Sequence, residues 1–375
     1  MKVIENFLIN HKERIVGLDI LRCLAILIVV YGHGGMLIPE QYNATYFKFL
    51  FLKIDGVSIF FVLSGFLIGG ILLRIIDKTD FTNKDLVNFW IRRWFRTIPN
   101  YLIVLFGILM VKMLTEHNLN GFTYKYLLFL QNFASQHPVF FPELWSLTIE
   151  EWFYLLFPLC CYFFHKILKN KSKSILISAL IFLIFPLIFR IIKFENGIGI
   201  QDFDMEFRKI MILRLDSLMY GVIAAYILFK QSVFWSKSKY FFLTVGILLI
   251  ILLNLNPLNW LNFYPPFYFN IESITTFCFL PFLSSYKTTK LKIIDSFVIF
   301  ISIISYSMYL LNFTPVLKTL IPIINSFLGR KNLPVEEVYL SNYILYWFLT
   351  IIGSYLLYRF YENPITKLRD RIKIN

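Results

Sequence analysis

The amino-acid sequence predicts an all-α polytopic membrane protein of about ten transmembrane helices, with both termini on the cytoplasmic side. Three observations predict it. Of the 375 residues, 58% are hydrophobic and only 16% are charged, whereas soluble domains run near 25% charged. Apolar runs long enough to span the roughly 30 Å hydrocarbon core recur along the whole chain. The gaps between them alternate in character: one set is basic throughout, and the other carries the acid-rich loops, as the positive-inside rule describes. The net charge of +14 would suggest nucleic acid in a soluble protein. Here the basic residues gather in the loops of one membrane face, and no nucleic-acid motif accompanies them.

The spans are expected near 16–38, 56–76, 98–115, 143–166, 175–192, 210–230, 240–254, 267–284, 296–318 and 341–361. The first run follows Lys2, Lys12 and Arg14, as a signal peptide would, but it is long enough to cross and carries Arg22. It reads as a retained first helix. The second, GVSIFFVLSGFLIGG, places Ser64, Gly65, Gly69 and Gly70 on a small-residue face that allows close helix packing. The stretch 122–133 is apolar but short, and reads as an interfacial or re-entrant segment. With the N-terminus inside, the inner segments hold Arg74, Lys84, Arg92, Arg93, Arg96, Lys230, Lys237, Lys239, Lys367 and Arg369, among others. Arg190 falls with Lys193, Arg208 and Lys209 on the outer side. Cys23, Cys160, Cys161 and Cys278 all lie in apolar runs and read as small buried residues. No Cys/His ligand spacing appears, so no metal is expected. The whole chain, 1–375, reads as one membrane domain with no fused soluble domain.

Ionisable residues inside a span are costly and mark candidate sites. The first helix holds Asp19, Arg22 and His33. Arg22 and His33 are about three full turns apart, so they share a face, with roughly 16 Å of rise between them. The competing reading is a snorkelling arginine and an incidental histidine. The fourth helix opens WSLTIEEWFY, where Ser146 and Glu150 are one turn apart and share a face. Glu151 cannot point the same way. A carboxylate beside a histidine is the usual means of fixing its tautomer and raising its basicity.

Between the second and third spans lies RRWFRTIP, with Arg92, Arg93 and Arg96. It serves either topology and anionic lipid or a phosphate site, since guanidinium forks match phosphate oxygens. In RLDSLMYG, Arg214 and Asp216 are two apart and face different ways, so each would pair with another element. SYSMYLLN ends in Asn312, a polar residue at depth, and YENP places Glu362 and Pro364 near the C-terminus. His11, His117, His137 and His165 fall in loops or at interfaces and read as incidental.

Taken in order, these segments resemble the membrane-bound acyltransferase family 3, whose members transfer acyl groups, often acetyl, onto carbohydrates. The resemblance covers roughly 15–365. It rests on GLDILRCLAILIVVYGH (Arg-x10-His, Arg22 and His33), GVSIFFVLSGFL, RRWFRTIP (Arg-x2-Arg, Arg93 and Arg96), WSLTIEEWFY (Ser-x3-Glu, Ser146 and Glu150), RLDSLMYG, SYSMYLLN and YENP. Each motif alone is weak; seven in sequence are specific.

The resemblance implies a multi-pass protein of a bacterial cytoplasmic (inner) membrane that takes acetyl-CoA or another acyl-CoA from the cytoplasmic side. The acceptor it implies is a hydroxyl of an envelope carbohydrate: lipopolysaccharide O-antigen, capsule or exopolysaccharide, on its own or lipid-linked. The expected catalytic residues are His33 and Glu150. Arg22, Arg93, Arg96, Ser146, Arg214 and Asp216 are expected to bind acyl-CoA or acceptor. His33 would act as general base on the acceptor hydroxyl or take the acyl group itself. One departure concerns Asn312, where the family often has histidine; asparagine hydrogen-bonds but does not titrate, so no proton transfer is assigned to it. A transporter or flippase of an envelope precursor is the rival reading, since ten helices with buried charge would suit one. It needs no acyl-CoA site.

Overall fold

A computed structural model describes residues 14–39, 42, 55–78, 81–115, 117, 119–168, 170–197, 202–255, 265–289, 291–330 and 333–369. The N-terminal residues Lys2, His11 and Lys12 lie outside the described residues. Among the described residues the chain is helical, with no strand. The helices are α1 (Val16–Gly34), α2 (Gly56–Lys78), α3 (Asn83–Thr115), α4 (Trp145–Leu168), α5 (Lys171–Glu195), α6 (Asp216–Lys230), α7 (Ser232–Lys237), α8 (Lys239–Leu255), α9 (Tyr268–Ser284), α10 (Lys292–Leu311), α11 (Ile321–Phe327), α12 (Val335–Leu357) and α13 (Asn363–Arg369). A π-helical segment, Asn312–Leu320, joins α10 to α11, and a second, Tyr358–Glu362, joins α12 to α13.

A helix occupies each of the ten expected spans. Among the described residues, seven helical stretches are long and apolar enough to cross a membrane: Val16–Leu37, Gly56–Asp77, Asn83–Thr115, Pro142–Leu168, Lys173–Glu195, Lys292–Phe327 and Val335–Arg369. The other three, α6, α8 and α9, have 15, 17 and 17 residues, fewer than the roughly 20 of a full span. The outward side of α5 fits lipid contact, since Leu180, Ile181, Ile184, Ile188 and Ile192 are all exposed.

Two expectations about the arginines are corrected. RRWFRTIP is not a connection between spans: α3 begins at Asn83, well before it, and Pro99 lies inside the helix. The start is set by a reciprocal cap. Thr82 Oγ1 accepts from the Asp85 N–H at 3.3 Å, and Asp85 Oδ2 accepts from the Thr82 N–H at 3.0 Å. Arg190 does not belong to an outer loop. It is fully buried on α5, where it donates to both carboxylate oxygens of Asp216 at 3.0 and 2.6 Å and to the Leu213 carbonyl.

The chain divides into two compact units: Met1–Ile28, Leu52–Leu73 and Ser217–Ser305 in the first; Val29–Phe51, Arg74–Asp216 and Tyr306–Asn375 in the second. In the first unit the small-residue face of α2 meets α6. A Cβ on Gly65 would lie 1.8 Å from the Leu218 carbonyl oxygen, and one on Gly221 would lie 1.9 Å from that of Val62. Two backbones this close admit only glycine at the crossing. In the second unit, Tyr101, Leu105, Tyr126, Phe141, Leu144 and Leu147 form a buried core joining α3, α4 and the loop between them. The expected interfacial stretch is a 3-10 turn, Tyr124–Leu128, closed by Phe129 at φ 53°. It is bonded onto α4: Trp152 Nε1 donates to the Phe129 carbonyl (2.7 Å), Gln131 Nε2 to Thr148 Oγ1 (2.6 Å) and Asn132 Nδ2 to the Trp145 carbonyl (3.0 Å).

Candidate active site

Most of the expected site residues fall in the second unit. His33 lies in the last turn of α1, followed by Gly34, where a Cβ would come within 2.9 Å of the Tyr346 ring. That absence of a side chain lets α12 approach. The His33 ring packs on Phe313, centroids 4.5 Å apart, and its Nδ1 lies 2.5 Å from Asn312 Oδ1. Asn312 is fully buried and opens the π-helical segment. Its Nδ2 donates to the carbonyls of Met308 (2.8 Å) and Tyr309 (2.9 Å). Tyr346 O–H reaches Asn312 Oδ1 at 3.4 Å and the Val30 carbonyl at 2.9 Å.

The entrance to α4 is tied to the same turn. Pro315, inside the π-helical segment, supplies no N–H, and the N–H of Thr314 leaves the helix for Glu143 Oε1 at 2.7 Å. Thr314 Oγ1 donates to Glu143 Oε2, also at 2.7 Å. Tyr309 O–H donates to the Glu143 carbonyl and lies 2.6 Å from Ser146 Oγ. Because the phenol proton is committed to that carbonyl, Ser146 is the donor in the second bond. Ser146 is therefore engaged with Tyr309, and through it with the helix that carries Asn312.

A second cluster joins α3 to α4. Trp90 Nε1 donates to the Tyr154 carbonyl at 3.0 Å, which fixes the two helices together. The Arg93 guanidinium lies 5.9 Å from the centroids of both Phe89 and Tyr154, within cation–π range. Tyr154 O–H donates to Glu150 Oε2 at 2.9 Å. Arg93 and Glu150 are thus linked through one tyrosine. Glu151 faces the other way and is buried, as adjacent positions on a helix require. About two turns beyond Arg93 on α3, Asn100 Nδ2 donates to Glu362 Oε2 at 2.8 Å, and Ser307 Oγ donates to the same oxygen at 2.8 Å. Arg92 and Arg96 are exposed.

The remaining expected residues lie apart from these clusters. Asp216 is held by Arg190, with Arg214 buried nearby in sequence. Arg22 belongs to the first unit, where its Nη1 is 3.5 Å from Ser302 Oγ and 3.9 Å from Asp19 Oδ1. There Asp19 is bound more closely by Arg14, at 2.5 and 2.7 Å, and by Ser302, at 2.6 Å. Among the described residues, no three His, Cys, Asp or Glu side chains converge as a metal site would require.

Outside the spans, Arg208 stacks over Trp145 at 4.9 Å and pairs with Asp204 at 2.8 Å. Lys193 and Gln136 hold the Glu206 carboxyl below its ordinary range. Burial pushes the His137 imidazole down to about 4, against the donation of its ring N–H to the Pro138 carbonyl.

Sequence reasoning missed Glu143, Thr314, Tyr309 and Tyr154, and it set Asn312 aside. A signal existed for one of them: Tyr154 is one turn beyond Glu150 on the same helix face. Nothing in the sequence joins His33 to Asn312, which are 279 residues apart.

An acyltransferase-domain family model matches residues 15–359. The O-acetyltransferase OatA of Staphylococcus aureus is 27% identical over 376 residues, covering 94% of this chain and 57% of OatA. YrhL of Bacillus subtilis, provisionally named a peptidoglycan O-acetyltransferase, is 30% identical over 191 residues, covering 46% of this chain and 28% of YrhL. The chain thus spans little more than half the length of the staphylococcal relative and less of the other. No solved structure matches it significantly.

Proposed function

This chain belongs to the acyltransferase family, and from that premise we propose that it is a membrane O-acyltransferase that moves an acyl group, acetyl by preference, from acyl-CoA to a carbohydrate hydroxyl. The observation that carries the reading is the linkage of Arg93 through Tyr154 to Glu150. It joins an arginine, one of a pair of the kind that holds phosphates, to a carboxylate inside a membrane helix. A transporter of precursors has no need of the former.

In this reading Arg93 and Arg96 meet the CoA phosphates on the cytoplasmic side. His33 takes the proton from the acceptor hydroxyl as its oxygen attacks the thioester carbonyl. The C–O bond forms, the C–S bond breaks, and the CoA sulfur leaves as the thiolate, taking the proton back from the imidazolium. Glu150 favours the cationic state of the site during that step. Ser146 donates to Tyr309 and holds the mouth of α4 in place. Arg214, two residues before Asp216, serves the acceptor side. The acceptor is an envelope glycan outside a bacterial cytoplasmic membrane. The glycan named for YrhL is peptidoglycan, and O-antigen, capsule and exopolysaccharide present the same hydroxyl chemistry.

The test is transfer of label from radiolabelled acetyl-CoA by the reconstituted protein, with the source envelope's own glycans as acceptors. Label is expected on a glycan. In Arg93→Ala, the acetyl-CoA concentration for half-maximal rate should rise about tenfold or more, with the acceptor requirement little changed. If the wild type neither binds nor consumes acetyl-CoA, the transporter reading takes precedence.

A further inference from the structure

We propose that Asn312 is a positioning residue that fixes the His33 imidazole in its Nδ1–H tautomer, and that Glu143 holds the π-helical turn presenting Asn312. The proposal rests on the reading of His33 as the base.

The argument starts from the amide. Asn312 Nδ2 has two protons, and two carbonyl oxygens stand 2.8 and 2.9 Å from it. Flipping the amide would set its oxygen against both carbonyls and leave three acceptors facing one another. The atom turned toward His33 is therefore the oxygen, which only accepts. A ring nitrogen 2.5 Å from it must donate. A neutral imidazole carries one ring proton, so placing it on Nδ1 leaves the lone pair on Nε2. That is the nitrogen able to take a proton from a hydroxyl. In water, free histidine favours the opposite tautomer, with the proton on Nε2, so the fold reverses the intrinsic preference.

The amide is itself held. Leaving the α-helical register at Asn312 brings the carbonyls of Met308 and Tyr309 within reach of its side chain. The turn is secured from outside by Glu143, which takes the N–H that Thr314 withdraws from the helix and the Thr314 hydroxyl as well. Both groups are buried and would be stranded without it. Tyr309, whose carbonyl receives Asn312, bonds the Glu143 backbone and Ser146. The end of α10 and the start of α4 thus form one bracket around the histidine.

The experiment is 15N spectroscopy of the full-length protein in nanodiscs at neutral pH, with all histidines labelled. The chain has five, and the His33 signals are those missing from His33→Ala. The expected wild-type spectrum shows a protonated Nδ1 and an unprotonated Nε2. Asn312→Ala should move the proton to Nε2 in whole or part. Asn312→Gln, which keeps both the acceptor oxygen and the donor nitrogen, should leave it on Nδ1 at least in part. Glu143→Ala should produce a mixture.

In transfer assays Asn312→Ala should lower kcat by about 10²- to 10⁴-fold, the range spanned by loss of a general base and by a wrong tautomer. KM for acetyl-CoA should hold steady, and Asn312→Gln should recover part of the rate. A proton on Nε2 in the wild type overturns the proposal, whether or not the variants fold. So does an Nδ1 proton that persists in Asn312→Ala. A correct tautomer together with wild-type transfer by His33→Ala leaves the positioning intact and removes the base. The wrong tautomer with an inactive His33→Ala does the reverse.

Discussion

Arg190 and His33 are both ionisable residues on helices of the second unit, yet they are held in opposite ways. Arg190 has no exposure and gives hydrogen bonds to both oxygens of an equally buried Asp216. His33 is half-buried and meets a neutral amide through one ring nitrogen. A charge answered by an opposite charge in two parallel bonds is held in one orientation. It suits architecture, here tying α5 to the start of α6. A histidine held by a neutral acceptor keeps its place while its charge changes, because the Nδ1 bond persists in both the neutral and the cationic ring. Burial alone therefore does not distinguish a structural ion from a reacting one; the partner does.

The largest expected effect breaks the architectural side. Arg190→Ala leaves Asp216 buried without its guanidinium, which should cost about 3–5 kcal/mol. It should appear as a large fall in the thermal midpoint of the detergent-solubilised protein. The double change Arg190→Met with Asp216→Leu should recover most of the loss, because two apolar side chains replace the pair without stranding a charge. If the single change is silent, the pair is not what ties α5 to α6.

A smaller effect lies in the loop over α4. His137 stays neutral in the folded protein down to about pH 4, while in the unfolded chain it takes a proton near pH 6.5. Between these values the unfolded state binds more protons, so stability falls as pH drops through that window and levels off below it. The slope is at most about 1.4 kcal/mol per pH unit. Thermal midpoints measured from pH 7 to pH 4 should diverge between wild type and His137→Gln, the variant falling less. Parallel curves would mean that His137 takes its proton at the same pH in the folded protein as in the unfolded chain.

The smallest effect sharpens the chemical side. Tyr154→Phe removes one hydrogen bond to Glu150 and keeps the ring beneath Arg93. A net loss near 1 kcal/mol corresponds to less than a tenfold fall in transfer rate, with KM for acetyl-CoA nearly unchanged. A large rise in KM would place Tyr154 in the CoA site itself.

Much of the fold was legible because membrane helices announce themselves. Apolar length marked each of the ten helical positions, and Gly65 within GVSIFFVLSGFL marked a close helix packing whose partner, α6, only the structure supplies. What failed were the boundaries set by polar chemistry. RRWFRTIP read as a connection because its arginines interrupt the apolar run; the cap formed by Thr82 and Asp85 was the available signal for an earlier start. Arg190 read as an outer residue because it stands near the end of an apolar run, and only Asp216, distant in sequence, explains its burial. The Ser146 and Glu150 pair was visible as a helix face. Of their partners, Tyr154 stood one turn beyond Glu150 on the same face, whereas Tyr309, 163 residues from Ser146, is not singled out by spacing among so many aromatic residues. The contact between His33 and Asn312 depends on a π-helical turn that no hydropathy pattern encodes.

The most direct measurement of the central claim is acetyl transfer by His33→Ala, with its thermal midpoint taken on the same preparation. The expected result is an unchanged midpoint with transfer reduced by about 10²- to 10⁴-fold. Transfer at the wild-type rate from a correctly folded His33→Ala protein would contradict the claim, and the chemistry would then have to be sought elsewhere in the membrane domain.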